Sequence, residues 1–280
     1  MEFGIVSHAR NEWAYRIPMG HLALSETVGI DSPGIHLAPG DRLLVVPPYG
    51  ISLRLLLAAL TVGPPPDLSD TESIRPQIVG LEMEPGGLDQ FTTASPCLGL
   101  CRASGYFATV SEELESMANP AETTRPSRLQ EAIEHFNLDD LLKQSIYELS
   151  GGQQRLVELV GTLVSPRPVK VIGRLASDLD EHHISLARAW ISAQSTEVFI
   201  FADTDIMSLR GLGASIWLPG HGVYATLRDL LYHALANNSA VPYFCEPLQL
   251  AFAAREKDPC YDVDRIASVA QILWSHQGAQ

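Results

Sequence analysis

Apolar positions along this chain follow two rhythms. Short β-prone runs occur at Asp41–Val46 (DRLLVV), Val169–Ile172 (VKVI) and Glu197–Phe201 (EVFIF), with helical pattern between them. That alternation predicts a mostly parallel sheet in an α/β layer arrangement. From Leu129 to Leu142, apolar residues recur near helical spacing at Leu129, Ile133, Phe136 and Leu141, which predicts one helix. A second helix is predicted after Ser150, with Leu156, Leu159, Val160, Leu163 and Val164 on one stripe; Pro166 and Pro168 stop it. Gly63–Pro66, Pro85–Gly87 and Asn119–Pro126 punctuate the chain as surface loops. Residues 241–280, with Leu248, Leu250, Phe252, Ile266, Val269, Ile272 and Leu273, are expected to form a small helical appendage. No internal repeat is visible.

Composition narrows the function classes. With 46% hydrophobic and 19% charged residues in 280, the chain can bury a substantial core. Its formal charge of −14 argues against nucleic acid, whose phosphates call for a basic face. The same charge suits a basic partner, including cytoplasmic segments of a membrane protein. No run approaches the ~18–20 apolar residues that span a bilayer, and the first residues show no charged-then-apolar leader. The expectation is a soluble chain that meets a membrane only through something else. Cys97, Cys101, Cys245 and Cys260 are too few and scattered for a disulfide framework and suit a reduced, cytosolic compartment. The Cys97/Cys101 pair lacks a second ligand pair, so no metal site is expected there.

The most specific signal is Leu149–Arg155, LSGGQQR. A given string of five specified letters arises by chance in roughly one chain in a few thousand of this size. A serine and two glycines open an apolar-striped helix, so a hydroxyl and unpaired N–H groups face outward at its positive end. That arrangement suits a phosphate. The same Ser150 could instead simply cap its own helix.

The order of elements around this motif resembles the ABC ATPase family, whose signature is LSGGQ. Ser177–Asp180 (SDLD) looks like the family's D-loop, which lies across a dimer interface. Gly40–Leu60 lines up with the family's strand, phosphate loop and following helix. The resemblance implies a P-loop NTPase-like ABC ATPase domain over residues 1–240, with a helical subdomain over about 95–165 and the appendage over 241–280. Val79–Phe91, Thr109–Leu114 and the tail Val241–Leu273 look most like the subtype that powers energy-coupling factor and cobalt-type uptake.

Against that pattern the chain has lost the residues that hold and split ATP. The phosphate loop should read G-x-x-x-x-G-K-[ST], but Pro47–Arg54 reads PPYGISLR. Pro47 replaces the first glycine and removes a donor, and Ser52 replaces the second. Gly50 lies between them, Leu53 stands where lysine should reach the phosphates, and Arg54 replaces the Mg²⁺-binding hydroxyl. After the Val169–Ile172 strand the family's metal-binding aspartate and water-activating glutamate become Gly173 and Arg174. Glycine cannot ligate a metal, and a guanidinium cannot act as a base at ordinary pH. Asp203 aligns with the switch histidine and would repel a γ-phosphate. Glu84 takes the place of the Q-loop glutamine, with Gln90 competing for that alignment.

The resemblance implies head-to-tail pairing, so a chain that keeps its signature can still complete one site. The expected assembly is a heterodimer with a homologous ATPase whose motifs are intact. In it Leu149, Ser150, Gly151, Gly152 and Gln153 act in trans on ATP and Mg²⁺ held mainly by the partner, and Asp180 contributes to the interface. The family also implies a transmembrane subunit, received through Glu112, Glu113 and Glu115, and a peripheral place on the cytoplasmic face of a membrane. Those acids could equally be a solvated helix start. A second reading is a pseudo-ATPase that binds no nucleotide and serves as scaffold or regulator. A third, a metal site at Asp178, Asp180, Glu181, His182 and His183, is disfavoured because adjacent helical residues point apart. His221 in Pro219–Gly222 is read as a turn between two strands.

Overall fold

The computed structural model describes residues 13–25, 27–48, 50–61, 63, 73–79, 88, 92–95, 109–118 and 127–236. Three adjacent strands at the centre of its larger sheet are the three the β-prone runs predict. They are β3 (Arg42–Val45), β6 (Val169–Gly173) and β7 (Val198–Ala202), with β7 between the other two. The full order is β5-β6-β7-β3-β8-β9, where β5 is Thr92–Ser95, β8 Ser215–Leu218 and β9 Gly222–Tyr224. All neighbours pair parallel except β8 and β9, which form a hairpin turning at Pro219–His221.

The sheet is apolar on both faces because both are covered. Leu43, Val45, Val169, Val171, Val198 and Ile200 pack with Leu56, Leu57 and Leu60 of α1 (Leu53–Thr61). Leu44, Ile172, Phe199 and Phe201 belong to the opposite core. That core also takes in α2 (Val110–Ala118), α3 (Ser127–His135) and α4 (Gly151–Val164), with α5 (Glu181–Ala193) and α6 (Leu227–Ala236).

A second, antiparallel sheet, β2-β1-β4, has no counterpart in the sequence reading. It comprises β1 (Ala14–Ala23), β2 (Gly29–Leu37) and β4 (Gln77–Val79). Pro18, Gly20, Pro33 and Gly34 interrupt its two long strands, which hides the period-2 pattern. Tyr15 ties this sheet to the other: its hydroxyl donates to the Leu60 carbonyl at 2.6 Å.

The helix predicted over Leu129–Leu142 is shorter than its apolar spacing suggests. It stops at His135, and Asn137 takes a left-handed φ of 53°. Leu138 N–H then bonds the Ile133 carbonyl and Asn137 N–H the Glu134 carbonyl, at 3.0 and 3.3 Å. This is a Schellman-type stop with asparagine in the glycine place. Leu141 and Leu142 still pack on the core, but from the turns that follow. The predicted appendage over 241–280 lies outside the described residues.

Candidate functional site

The C-terminal ends of β3, β6 and β7 form one edge, where open α/β sheets bind ligands. Backbone bonds join their loops: Arg174 N–H to Ala202 O at 2.9 Å, and Asp203 N–H to Val45 O at 3.2 Å. The structure thus gathers the segments that carry Pro47, Gly173, Arg174 and Asp203 at one edge. Glu84 and Gln90 lie outside the described residues, as do all four cysteines.

At this edge the β3–α1 loop begins with a pair of prolines. Pro47 and Pro48 have no N–H. Ile51 N–H closes a tight turn on the Pro48 carbonyl at 3.0 Å, with Gly50 at φ 84° supplying the left-handed step. Leu53, where a lysine would project, packs half-buried against the core below. Ser52 and Arg54 are exposed. Gly173 ends a fully buried strand, and Arg174 turns outward at φ 41°. Asp203 is buried and engaged with its own segment: its carboxylate accepts from Asp205 N–H at 2.9 Å and Ser208 Oγ at 3.0 Å. Burial raises its pKa despite those bonds. Its carboxylate is therefore spent on a local turn, a role that alignment with a switch histidine does not suggest. At this edge the positions that the sequence reading gives to a lysine, a metal ligand and a base hold Leu53, Gly173 and Arg174, while the N–H groups of Ser52, Leu53 and Arg54 have no acceptor among the described residues.

The N-terminus of α4 is built differently. Ser150 Oγ accepts from Gln153 N–H at 3.3 Å, and Gln153 Oε1 accepts from Ser150 N–H at 2.9 Å, a capping box. The cap leaves the serine O–H and the glutamine amide N–H₂ to donate outward. Among the described residues nothing accepts from Gly151 or Gly152 N–H, as expected for the first turn of a helix. The two glycines differ. A Cβ on Gly152 would lie 2.9 Å from the Asp178 carbonyl, whereas one on Gly151 would meet nothing within 4 Å. Leu149 is buried beneath the motif.

Asp178, at φ 62°, brings the loop before α5 close to α4. Asp180 caps α5, accepting from His183 N–H and standing 2.8 Å from His183 Nδ1. The His183 backbone bond leads in holding its carboxyl below the ordinary range. Among the described residues no group of three or more His, Cys, Asp and Glu could hold a metal. His221 lies in the β8–β9 turn, as read from the sequence, its N–H on the Leu218 carbonyl at 2.9 Å.

The three glutamates of α2 do not act alike. Glu112 accepts from Thr109 N–H at 3.0 Å, and Glu115 accepts from Ser111 Oγ at 2.9 Å; both are exposed. Glu113 is 7% exposed and faces inward, which removes it from any docking face. Adjacent helical positions cannot share a face.

Sequence reasoning missed Arg155, the last letter of its own motif. It is buried, donates to the Gly173 carbonyl at 2.8 Å and pairs with Glu158 at 2.9 Å. The signature helix is thereby locked to the end of β6. Arg188 was missed too. It joins Glu181 at 3.3 Å to the Ser208 carbonyl at 2.7 Å and so bridges the segments after β6 and β7.

No family model matches the chain, and no curated protein matches it in sequence. Solved structures do. A bacterial Atm1-family ABC exporter with ATP bound superposes with a TM-score of 0.59 at 15% identity, over 76% of this chain and 38% of that one. The chain thus spans well under half of that exporter's length. CbiO1 from Clostridium perfringens, part of the ABC transporter complex cbiONQ, superposes at 0.59 with 12% identity, over 92% of this chain and 99% of that one. A nucleotide-free ATP-binding cassette from an ABC transporter matches at 0.54 with 13% identity, over 74% and 87%. The fold is accordingly the P-loop NTPase fold of ABC ATPase domains. No helix among the described residues is long and apolar enough to cross a membrane.

Proposed function

We propose that this chain is a degenerate ATP-binding-cassette subunit of a membrane transporter, supplying its signature in trans to the ATP site of an intact partner ATPase. The partner would hold the nucleotide and Mg²⁺ with its own lysine, carboxylates and base. This chain's part is electrostatic: Ser150, Gly151, Gly152 and Gln153 direct preformed donors at a phosphate from a rigid helix end. Leu149 anchors the turn from below, and the Asp180 loop borders the contact. Closure of the pair on ATP would move transmembrane subunits on the cytoplasmic side, most simply for uptake of the energy-coupling factor kind. Likeness in fold to CbiO1, a component of a multi-subunit transporter, supports that setting.

One observation carries the reading. Gly152 is explained inside the chain by the Asp178 carbonyl, but Gly151 has open space, an ordinary φ and an unbonded N–H. Alanine would fit there and favour the helix, so the glycine answers to something that approaches from outside. The capping box alone would favour the scaffold alternative, since Ser150 would be kept for its own helix. Gly151 is what that alternative leaves unexplained.

The test is Ser150→Arg in the complex purified with its partner. Turnover at the partner's site is expected to fall at least about 100-fold, the cost typical of losing preorganised transition-state donors. Wild-type turnover in the variant would remove the trans role and leave the scaffold.

A further inference from the structure

β6 is apolar except for one residue. Between Val169 and Val171 stands Lys170, fully buried, in register with Thr93 of β5 and Phe199 of β7. Its ammonium donates to the carbonyl of Ser165, the residue that ends α4. Arg128, in the first turn of α3, donates through Nη2 to the Leu163 carbonyl at 2.7 Å, also in the last turn of α4. Two cations therefore close the C-terminal end of one helix, where unbonded carbonyls carry partial negative charge. Glu197 joins them. Its Oε1 lies 2.6 Å from Arg128 Nη1 and 3.5 Å from Lys170 Nζ, and its Oε2 accepts from Arg128 Nη2 at 2.9 Å.

Two cations thus meet one carboxylate and the partial negative charge of a helix end, with Lys170 fully buried and Arg128 31% exposed. Burial pushes Lys170 down to about 8; Glu197 opposes the shift, while Arg128 and Arg167 add to it. The helix that Lys170 holds is the one whose other end carries Ser150, Gly151 and Gly152. A 14-residue helix is a stiff rod of ~1.5 Å per residue, so a shift at its C-terminus appears at its N-terminus.

We propose that Lys170, Glu197 and Arg128 form a positioning cluster that sets where α4 holds its signature, and so governs turnover at the composite site without touching nucleotide. The inference rests on the half-site reading above, and its test separates the two.

Lys170→Met removes the donor to the Ser165 carbonyl and one cation from Glu197, and is expected to lower the melting temperature of the chain modestly. In the assembled complex it should lower turnover at saturating ATP about tenfold with KM unchanged. A residue serving the fold alone would move melting and leave turnover. Wild-type turnover should step down near pH 8 as the ammonium deprotonates, and the variant should lack that step. In the isolated full chain, ¹³C-glycine signals of Gly151 and Gly152 should move through the same pH and stay still in Lys170→Met. Should that variant not fold, Lys170→Arg keeps the charge and is likewise expected to abolish the pH step. Glycine signals that ignore pH in the wild type overturn the positioning role. So does full turnover in Lys170→Met beside lost turnover in Ser150→Arg. Moving signals with turnover indifferent to both substitutions keep the positioning role and remove the half-site.

Discussion

The beginnings of α1 and α4 surround similar first-turn N–H groups with different side chains. Before α1, two prolines remove donors, Ile51 N–H is consumed by a turn, and Leu53 folds down onto the core. Before α4, the cap satisfies Gln153 N–H and Ser150 N–H; those of Gly151 and Gly152 have no acceptor among the described residues, as is also true of Leu53 and Arg54 at α1. A helix N-terminus is an anion site only while its N–H groups stay free and approachable. The two junctions differ less in free N–H groups than in side chains: Leu53 and Arg54 open the first helix, whereas Gly151 and Gly152, with no Cβ, open the second.

Rebuilding the first junction is the strongest way to break this contrast. Pro47→Gly with Ser52→Gly, Leu53→Lys and Arg54→Thr should tighten Mg²⁺-free ATP binding by about 100-fold or more. Each recovered charge-assisted bond is worth ~1.5–3 kcal/mol. Fluorescent-nucleotide titration in chelator reads this, and hydrolysis should stay absent because Gly173 and Arg174 remain. Unchanged affinity would mean that the loop's backbone path, more than its side chains, has closed the site.

The second test sharpens the contrast within the signature. Gly152→Ala drives a methyl into the Asp178 carbonyl, which must shift, and should destabilise by about 1–3 kcal/mol. Gly151→Ala should leave stability equal or slightly higher while lowering turnover of the complex. Equal stability losses at both positions, by denaturant titration, would erase the distinction on which the outward-facing role rests.

The smallest effect is expected at Asp203. Its folded pKa is raised by burial. The stability it contributes is therefore complete below its unfolded value of about 3.9, and is lost as pH rises through the folded value. Asp203→Asn keeps an acceptor for Asp205 N–H, and its amide can donate to Ser208 Oγ, whose hydroxyl already reaches the Asp205 carbonyl at 2.7 Å. The variant should be modestly more stable at neutral pH, and its advantage should vanish below about pH 4. A variant less stable than wild type at pH 7 would mean that the charge itself holds the turn.

Local pattern was enough for much of this. Three β-prone runs identified the three central strands, and Ser150 with its stripe identified α4 to within a residue. The phosphate-loop expectation could be compared with Pro47–Arg54 directly, because that pattern is written in contiguous residues. The small antiparallel sheet was illegible since Pro and Gly interrupt its alternation. The end of α3 was illegible since Asn137 can do a glycine's work at a helix stop.

What the sequence by itself determined is chemical: the Leu53 side chain cannot bind a phosphate, and Gly173 has no side chain to ligate a metal. Those facts follow from residue type and hold in any fold. Only tertiary structure decided which of two adjacent glycines is needed internally, that Asp203 spends its carboxylate on its own turn, and that Glu113 points inward. It alone gathered Arg128, Lys170 and Glu197 from three distant segments onto one helix end. The reason is physical: burial and long-range contact set the value of a charge or a missing Cβ, and neither is a property of neighbours along the chain.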